Sequence, residues 1–454
     1  MARPDSYPPQ IKYVVGNEAC ERFSFYGTAS ILALYMNEHL LYGERDAKAY
    51  YHYFVMATYL TPLVGGWIAD RFLGRYRTIL WISFAYVHGH AVLAFWETRA
   101  GLLVGLALVA AGAGGIKPCV SAFVGDQFGP EQRPLLERIY GWFYWIINLG
   151  SGTAKLLVPL LLMRFGPRPA FALPGLLMAL ALAVYVSGRR HYAKAPPSGP
   201  NPHGFLAVVR AAVRRLGTAR PGEHWLDPAR AEHPGEAVDG ARAVLRIMGV
   251  FAAVTLFWTL FDQKGSSWVF QARQMDRVVG GYELSAAQLQ ALNPFLVLML
   301  IPLFTWGVFP LLARRGVDLS PLRKMTVGMY VTVLSFVAAA IVQTLLDAGR
   351  APHVLWQIPQ YVLLTVGEVL VSVTGLEFSY TQAPRSMKST IMSIWLVTVA
   401  LGNFLTAAVS ALNRFQGASY FWFFAALMLA GAVGFAAIAR RYRPTAASLQ
   451  ATPS

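Results

Sequence analysis

Apolar residues run along this chain in twelve long blocks, at about 12–38, 47–70, 76–96, 100–124, 137–163, 169–188, 244–270, 288–313, 322–346, 353–377, 388–412 and 418–440. Each has the roughly 20 residues that an α-helix needs to cross about 30 Å of hydrocarbon. The polar stretches between them are short except for 189–243. The pattern therefore predicts an all-α membrane protein with a six-helix half at 1–188, a linker at 189–243, a second six-helix half at 244–442 and a tail at 443–454. Within the linker, prolines at 196, 197, 200 and 202 mark an extended connector. Residues 205–216, with Arg210, Arg214 and Arg215, predict a basic amphipathic helix on the membrane surface. No part of the linker is apolar enough for a further crossing. The chain opens without a short apolar core and small-residue cleavage site, so the first block is expected to act as its own insertion signal.

Composition agrees: 56% of residues are hydrophobic and only 14% charged, against about 25% charged in soluble domains. The 39 Lys and Arg outnumber the 23 Asp and Glu, which by itself would suit a nucleic-acid binder. Their placement argues otherwise. Arg71, Arg75 and Arg77, Arg189 and Arg190, Arg314, Arg315, Arg323 and Lys324, and Arg440, Arg441 and Arg443 all fall on one side of the membrane if both termini are cytoplasmic. Topology thus accounts for the charge, and lipid rather than nucleic acid is the expected surroundings. Cys20 and Cys119 both lie in apolar blocks, where buried thiols are the ordinary outcome. No metal-ligand spacing and no nucleophile–base set stands out, so neither a cofactor nor an enzymatic activity is expected.

The chemistry lies in polar groups placed where lipid would surround them. Glu18, Glu21, Arg22 and Tyr26 share one face of the first helix. Ionised groups at the bilayer centre cost roughly 2.5 to 3.5 kcal/mol each on insertion scales, so this face must look into protein or a wet cavity. An interhelical clamp without a transport role would satisfy the same demand. His52 sits among aromatics in the second helix, two turns before Tyr59, and reads either as a packed histidine or as a proton carrier. Lys117 follows Gly112, Gly114 and Gly115 and precedes Pro118, a run expected to loosen the fourth helix around a buried ammonium. Its partner is Glu18 or Glu21, or a substrate carboxylate. Asn148 in the fifth helix, Asp262 in the seventh, Asn293 before Pro294 in the eighth and Glu368 in the tenth complete the polar set, with Trp258 and Trp395 as large aromatics. Lys155 and Lys264 are further lysines inside spans.

The run from Gly65 through Asp70 and Arg71 to Arg77 resembles the loop between helices 2 and 3 of the major facilitator superfamily. Glu18-x-x-Glu21-Arg22-Phe23, Gly114-Gly-Ile-Lys117-Pro-Cys-Val-Ser-Ala-Phe123 and Phe143-Tyr-Trp-x-Ile-Asn148-x-Gly-Ser151 are similar to the proton-coupled oligopeptide transporter family. The tenth-helix run Gly367-Glu368-Val369-Leu370 is similar in particular to its animal branch. The resemblance implies a major facilitator fold of twelve helices in two bundles, importing di- and tripeptides with protons, driven by the proton gradient. It implies that Arg22 and Lys117 take the peptide carboxylate, that Glu368, Asn148 and Asn293 take the amino terminus, and that Tyr26, Tyr59, Trp258 and Trp395 form side-chain pockets. Glu18, Glu21, His52 and Asp262 would couple protons. Two departures bear on Asp262. Ala29 stands where the family often has a second arginine, which turns the expected partnership toward His52. Lys264 stands where a neutral residue is expected and is a rival partner. The competing reading keeps the fold and changes the cargo to another small anion or a drug, such as nitrate or a conjugate.

Overall fold

A computed structural model describes residues 6–442 except 200, 219, 221, 318 and 383–386. The tail at 443–454, with Arg443, lies outside the described residues.

The first half comprises α1 (Ile11–Leu34), α2 (Glu44–Ile68), α3 (Gly74–Phe95), α4 (Arg99–Asp126), α5 (Arg133–Phe165) and α6 (Pro167–Ser187). The linker carries α7 (Phe205–Arg214). The second half comprises α8 (Gly235–Phe261), α9 (Ser267–Arg273), α10 (Leu292–Pro302), α11 (Phe309–Arg314), α12 (Pro321–Asp347), α13 (Ile358–Glu368), α14 (Thr374–Gln382), α15 (Lys388–Leu412) and α16 (Gly417–Arg441). Among the described residues, ten stretches of helix are long and apolar enough to cross a membrane. One of these, Glu44–Phe95, has 52 residues and would span about 78 Å, too long for one crossing. The chain reverses within it at Gly74, whose φ of 74° suits glycine, so α2 and α3 cross separately. The helix that opens the chain, Ile11–Leu34, has the length but carries Glu18, Glu21 and Arg22 at its middle. Counted so, the described residues make twelve crossings.

Several connections follow from local chemistry. The Thr98 hydroxyl accepts from Gly101 N at 3.1 Å and caps α4. Gly166, with φ 81°, and Pro167 turn the chain from α5 into α6. Gly280 and Gly281, both at positive φ, close a small hairpin between Val278–Val279 and Tyr282–Glu283.

In the first half, α1 packs on α5 and α6, α2 on α4, and α3 on α4 and α6; in the second, α8 packs on α15 and α16, and α12 on α13 and α16. A Cβ on Gly65 would overlap the backbone of Gly115, so glycine brings α2 and α4 into contact. The fourth helix is not loosened as the sequence suggested. α4 runs unbroken through Pro118, and its glycines serve packing instead.

The helix carrying the seventh span begins at Gly235, inside the stretch read as linker, because its polar first turns are tied down. Asp227 accepts from Arg242 Nη2 at 2.6 Å and from Arg230 Nε at 3.1 Å, while Arg230 Nη2 donates to Asp239 at 2.5 Å. On α7, Val208, Ala211 and Ala212 are buried and the helix packs against α8, whereas Leu206 and Val213 remain exposed.

Three second-half spans are interrupted. A 3₁₀ turn at Asp262–Gly265 joins α8 to α9, a π turn at Leu303–Val308 joins α10 to α11, and another at Val369–Val373 joins α13 to α14. The halves meet where α2 lies against α15, and α5 against α10 and residues 286–291. Named polar bonds between the halves gather toward the face opposite the chain termini. Arg273 Nη2 donates to Glu44 at 2.6 Å and Nη1 to Asn37. Gln290 donates to Ser30 O at 2.9 Å and Gln288 to Leu156 O at 3.0 Å. These bonds tie the two halves together at that end.

Candidate functional site

On α1, Glu18, Glu21 and Arg22 form one buried cluster. Arg22 Nε lies 3.2 Å from Glu18 Oε1 and donates to Glu21 Oε2. Glu21 is wholly buried, and its Oε1 has no hydrogen-bond partner. Both acids thus turn to the arginine on their own helix. Lys117 does not join them, contrary to the pairing that sequence spacing allowed. Its ammonium stands over the Tyr59 ring, 4.2 Å from the centroid. Arg22, Phe25, Thr58, Ala113 and Lys117 line one small cavity. The two cations of the first half therefore share a space, and the cation–π contact holds Lys117 without consuming its charge.

Tyr26, one turn beyond Arg22, lies under a lysine that the family motifs do not include. Lys155 Nζ on α5 is 5.1 Å from the Tyr26 ring centroid. The signal was in the sequence: an ionisable residue inside an apolar span.

In the second half, Glu368 ends α13 just before the π turn. Its Oε2 accepts from Asn293 Nδ2 at 2.7 Å, and the same amide donates to Thr365 Oγ1 at 3.1 Å. The predicted neighbours are thus brought together, on an irregular backbone of the kind often found at functional sites. Trp258 and Trp395 meet edge to face with centroids 6.0 Å apart, and Phe251 adds a third ring 5.1 Å from Trp395. The Trp258 indole N–H is buried without a partner. Asn148 is only half-buried and donates to Tyr144 O at 2.9 Å on its own helix; it makes no bond to Glu368.

His52 is fully buried, and Asp262 is not its direct partner. Asn403 of α15 stands between them. The Asn403 amide nitrogen donates to Asp262 Oδ2 at 2.8 Å and to Val399 O at 3.0 Å, so its carbonyl oxygen faces His52 Nδ1, also at 2.8 Å. That arrangement places a proton on Nδ1. In the neutral ring Nε2 then accepts from Ser266 Oγ at 2.8 Å; a second proton would make it a donor. Lys264 does not pair with Asp262 either. It donates to Phe261 O at 3.1 Å and lies 3.0 Å from the Phe261 ring centroid. Neither His52 nor Lys264, the two partners that the sequence offered for Asp262, takes that place; an amide does, and its one signal was a lone Asn in an apolar run.

Tyr26 and Tyr59 lie within electrostatic reach of Arg22 on one side and of Glu368 and Asp262 on the other. Arg22 from the first half and Glu368 and Asp262 from the second therefore act on both tyrosines, and Lys117 stands over Tyr59. Such a site can hold one small molecule by opposite charges at its two ends.

Residues 76–423 match the model of the POT family. The chain belongs to the POT family. It is 40% identical to Peptide transporter 3 of Caenorhabditis elegans over 358 residues, which are 74% of this chain and 51% of that protein. It is 38% identical to Solute carrier family 15 member 2 of Rattus norvegicus over 392 residues, 82% of this chain and 54% of the relative. The chain spans about half the length of the curated relatives it matches. Among solved POT structures, an auto-inhibited family peptide transporter superposes with a TM-score of 0.91 at 40% identity, covering 96% of this chain and 98% of that one. A peptide transporter in complex with alafosfalin superposes with a TM-score of 0.81 at 25% identity, covering 96% and 94%. The match shows the major facilitator-type fold of an integral membrane protein.

Proposed function

We propose that this chain is a proton-coupled symporter that imports di- and tripeptides across the cytoplasmic membrane, with both termini cytoplasmic. The observation that carries the reading is the distribution of charge around Tyr26 and Tyr59: Arg22 and Lys117 on the first half, Glu368 on the second. A peptide at neutral pH carries an ammonium at one end and a carboxylate at the other. Arg22 and Lys117 receive the carboxylate; Glu368, positioned by Asn293, receives the ammonium. With the ends fixed and the middle read by shape, with Trp258 and Trp395 as apolar walls, short peptides of many sequences fit and longer ones overrun the spacing. Peptide transporter 3 and both solved structures named above are peptide transporters, which weighs against nitrate, conjugates or drugs as the main cargo.

Transport then requires the two halves to rock about this site. The end tied together by Arg273 and Glu44, with the His52–Asn403–Asp262 set, is the outer gate. Protonating His52 turns Nε2 into a donor toward Ser266 and places a cation beyond Asn403 from Asp262, and protonating Glu18 or Glu21 loosens the hold on Arg22. Each event biases the equilibrium only by its different interactions in the two states. The reading is tested by uptake of labelled dialanine into proteoliposomes with and without an inward proton gradient. Gradient-dependent accumulation is expected; binding with no proton-linked accumulation overturns the symport assignment.

A further inference from the structure

Two buried lysines from opposite halves, Lys155 and Lys264, each only 6% exposed, have no ion-pair contact among the described residues. Lys155 has the Tyr26 ring beneath its ammonium, and Lys264 has the Phe261 ring and the Phe261 carbonyl. These contacts hold an ammonium in place without neutralising it. A buried charge with no counter-charge in contact is costly, and inside a membrane protein it marks a ligand path more often than a packing solution.

The lysines come from opposite halves, α5 and the turn after α8, and lie within electrostatic reach of each other and of Glu368. Glu368 is already bonded to Asn293, and Asp262 to Asn403. A neutral peptide docking its ammonium at Glu368 would make a third cation against two carboxylates, Glu368 and Asp262. A carboxylate on the side chain of the first or second residue hangs only a few bonds from that ammonium and supplies the missing anion.

We propose that Lys155 and Lys264 form an anion subsite beside Glu368 that receives the acidic side chain of an Asp- or Glu-containing di- or tripeptide. The assignment rests on the peptide-symport reading and adds a substrate class to it. The carrier selects acidic peptides over neutral ones, and neutral over basic, because a Lys or Arg side chain would be a fourth cation in the same space.

The test is uptake of Ala-Glu, Ala-Ala and Ala-Lys by the full chain in proteoliposomes, with half-saturating concentrations measured for each. The expected order is Ala-Glu, Ala-Ala, Ala-Lys, with about tenfold between the first two, a spacing ordinary for one favourable charge contact. In the Lys155→Gln, Lys264→Gln double variant the ratio of Ala-Ala to Ala-Glu falls to about one, and in the Lys155→Arg, Lys264→Arg variant the preference returns. A wild type without the preference, or a glutamine double variant that keeps it, overturns the subsite while leaving peptide transport standing. If no dipeptide is taken up at all, the peptide reading fails, and thermal stabilisation of the purified protein by glutarate decides the subsite alone. Stabilisation that disappears with both lysines supports it; equal stabilisation of wild type and double variant overturns it.

Discussion

The two halves of this protein keep their intramembrane charges in different ways. In the first half, Glu18, Glu21 and Arg22 lie within five residues on a regular helix, and both acids contact the arginine. In the second half, Asp262 and Glu368 stand alone at helix interruptions, and each is held by an amide from another helix, Asn403 or Asn293. An ion pair within one helix survives any rigid-body movement of that helix. An acid whose partner is a neutral amide keeps its charge for something else. The comparison teaches that the first half carries a local ion cluster of two acids and one arginine, whereas the second half presents acids hydrogen-bonded, among the described residues, only to neutral amides, with Lys264 and Lys155 in electrostatic reach but not in contact.

The comparison is broken most sharply at Glu368. Glu368→Gln keeps the shape and the Asn293 contact but removes the charge, and dialanine uptake is expected to fall by at least about a hundredfold, the usual outcome of losing a buried charge partner; near-normal uptake would remove Glu368 from the binding site. In the first half, Arg22→Gln leaves two buried carboxylates without their ion-pair partner, so a loss of about 3–5 kcal/mol in stability is expected, read as a lowered melting temperature in detergent. Adding Glu18→Gln and Glu21→Gln to that variant should restore much of it; no recovery would show that the loss does not come from the two acids.

Asn403→Ala separates gate from pocket. It removes the bridge between His52 and Asp262, so gradient-driven accumulation should drop about tenfold while exchange of labelled for unlabelled dialanine continues. His52→Ala is expected to act the same way, and accumulation that survives both changes would leave His52 as packing. A smaller effect is expected at Gly265, where an added Cβ would overlap the Tyr51 hydroxyl. Gly265→Ala should cost about 1–3 kcal/mol in stability by overpacking, measured by thermal unfolding, and a neutral outcome would mean that the turn yields. Smallest of all, Arg273→Gln at the partly exposed outer seal should change stability by under about 1 kcal/mol and lose its effect at high salt.

Much of this is legible in the chain itself. The twelve crossings, the amphipathic linker helix and the α1 charge cluster follow from spacing, since hydropathy and helical periodicity act over neighbouring residues. The family motifs point to Arg22, Lys117, Asn293 and Glu368; Arg22 and Lys117 line one cavity, and Asn293 donates to Glu368. Asn403 escapes a reading of the sequence because an amide in an apolar span announces no charge, and its meaning comes from His52, which is 351 residues away. Lys155 is visible as a charge in a span, but nothing in its neighbourhood ties it to Tyr26. The packing role of Gly115 depends on facing Gly65, and a glycine so close to a proline reads locally as a break.

By itself the sequence determined which segments enter the membrane, which of them carry ionisable groups, and the one ion cluster whose members are helical neighbours. Tertiary structure alone decided the partners of four further charges: Lys117 over Tyr59, Lys155 over Tyr26, Glu368 on Asn293 and Asp262 on Asn403. The reason is range. A single helix fixes distances along three or four residues, whereas groups on different helices acquire a distance only when the helices pack, and it is that distance which turns a costly buried charge into a binding site.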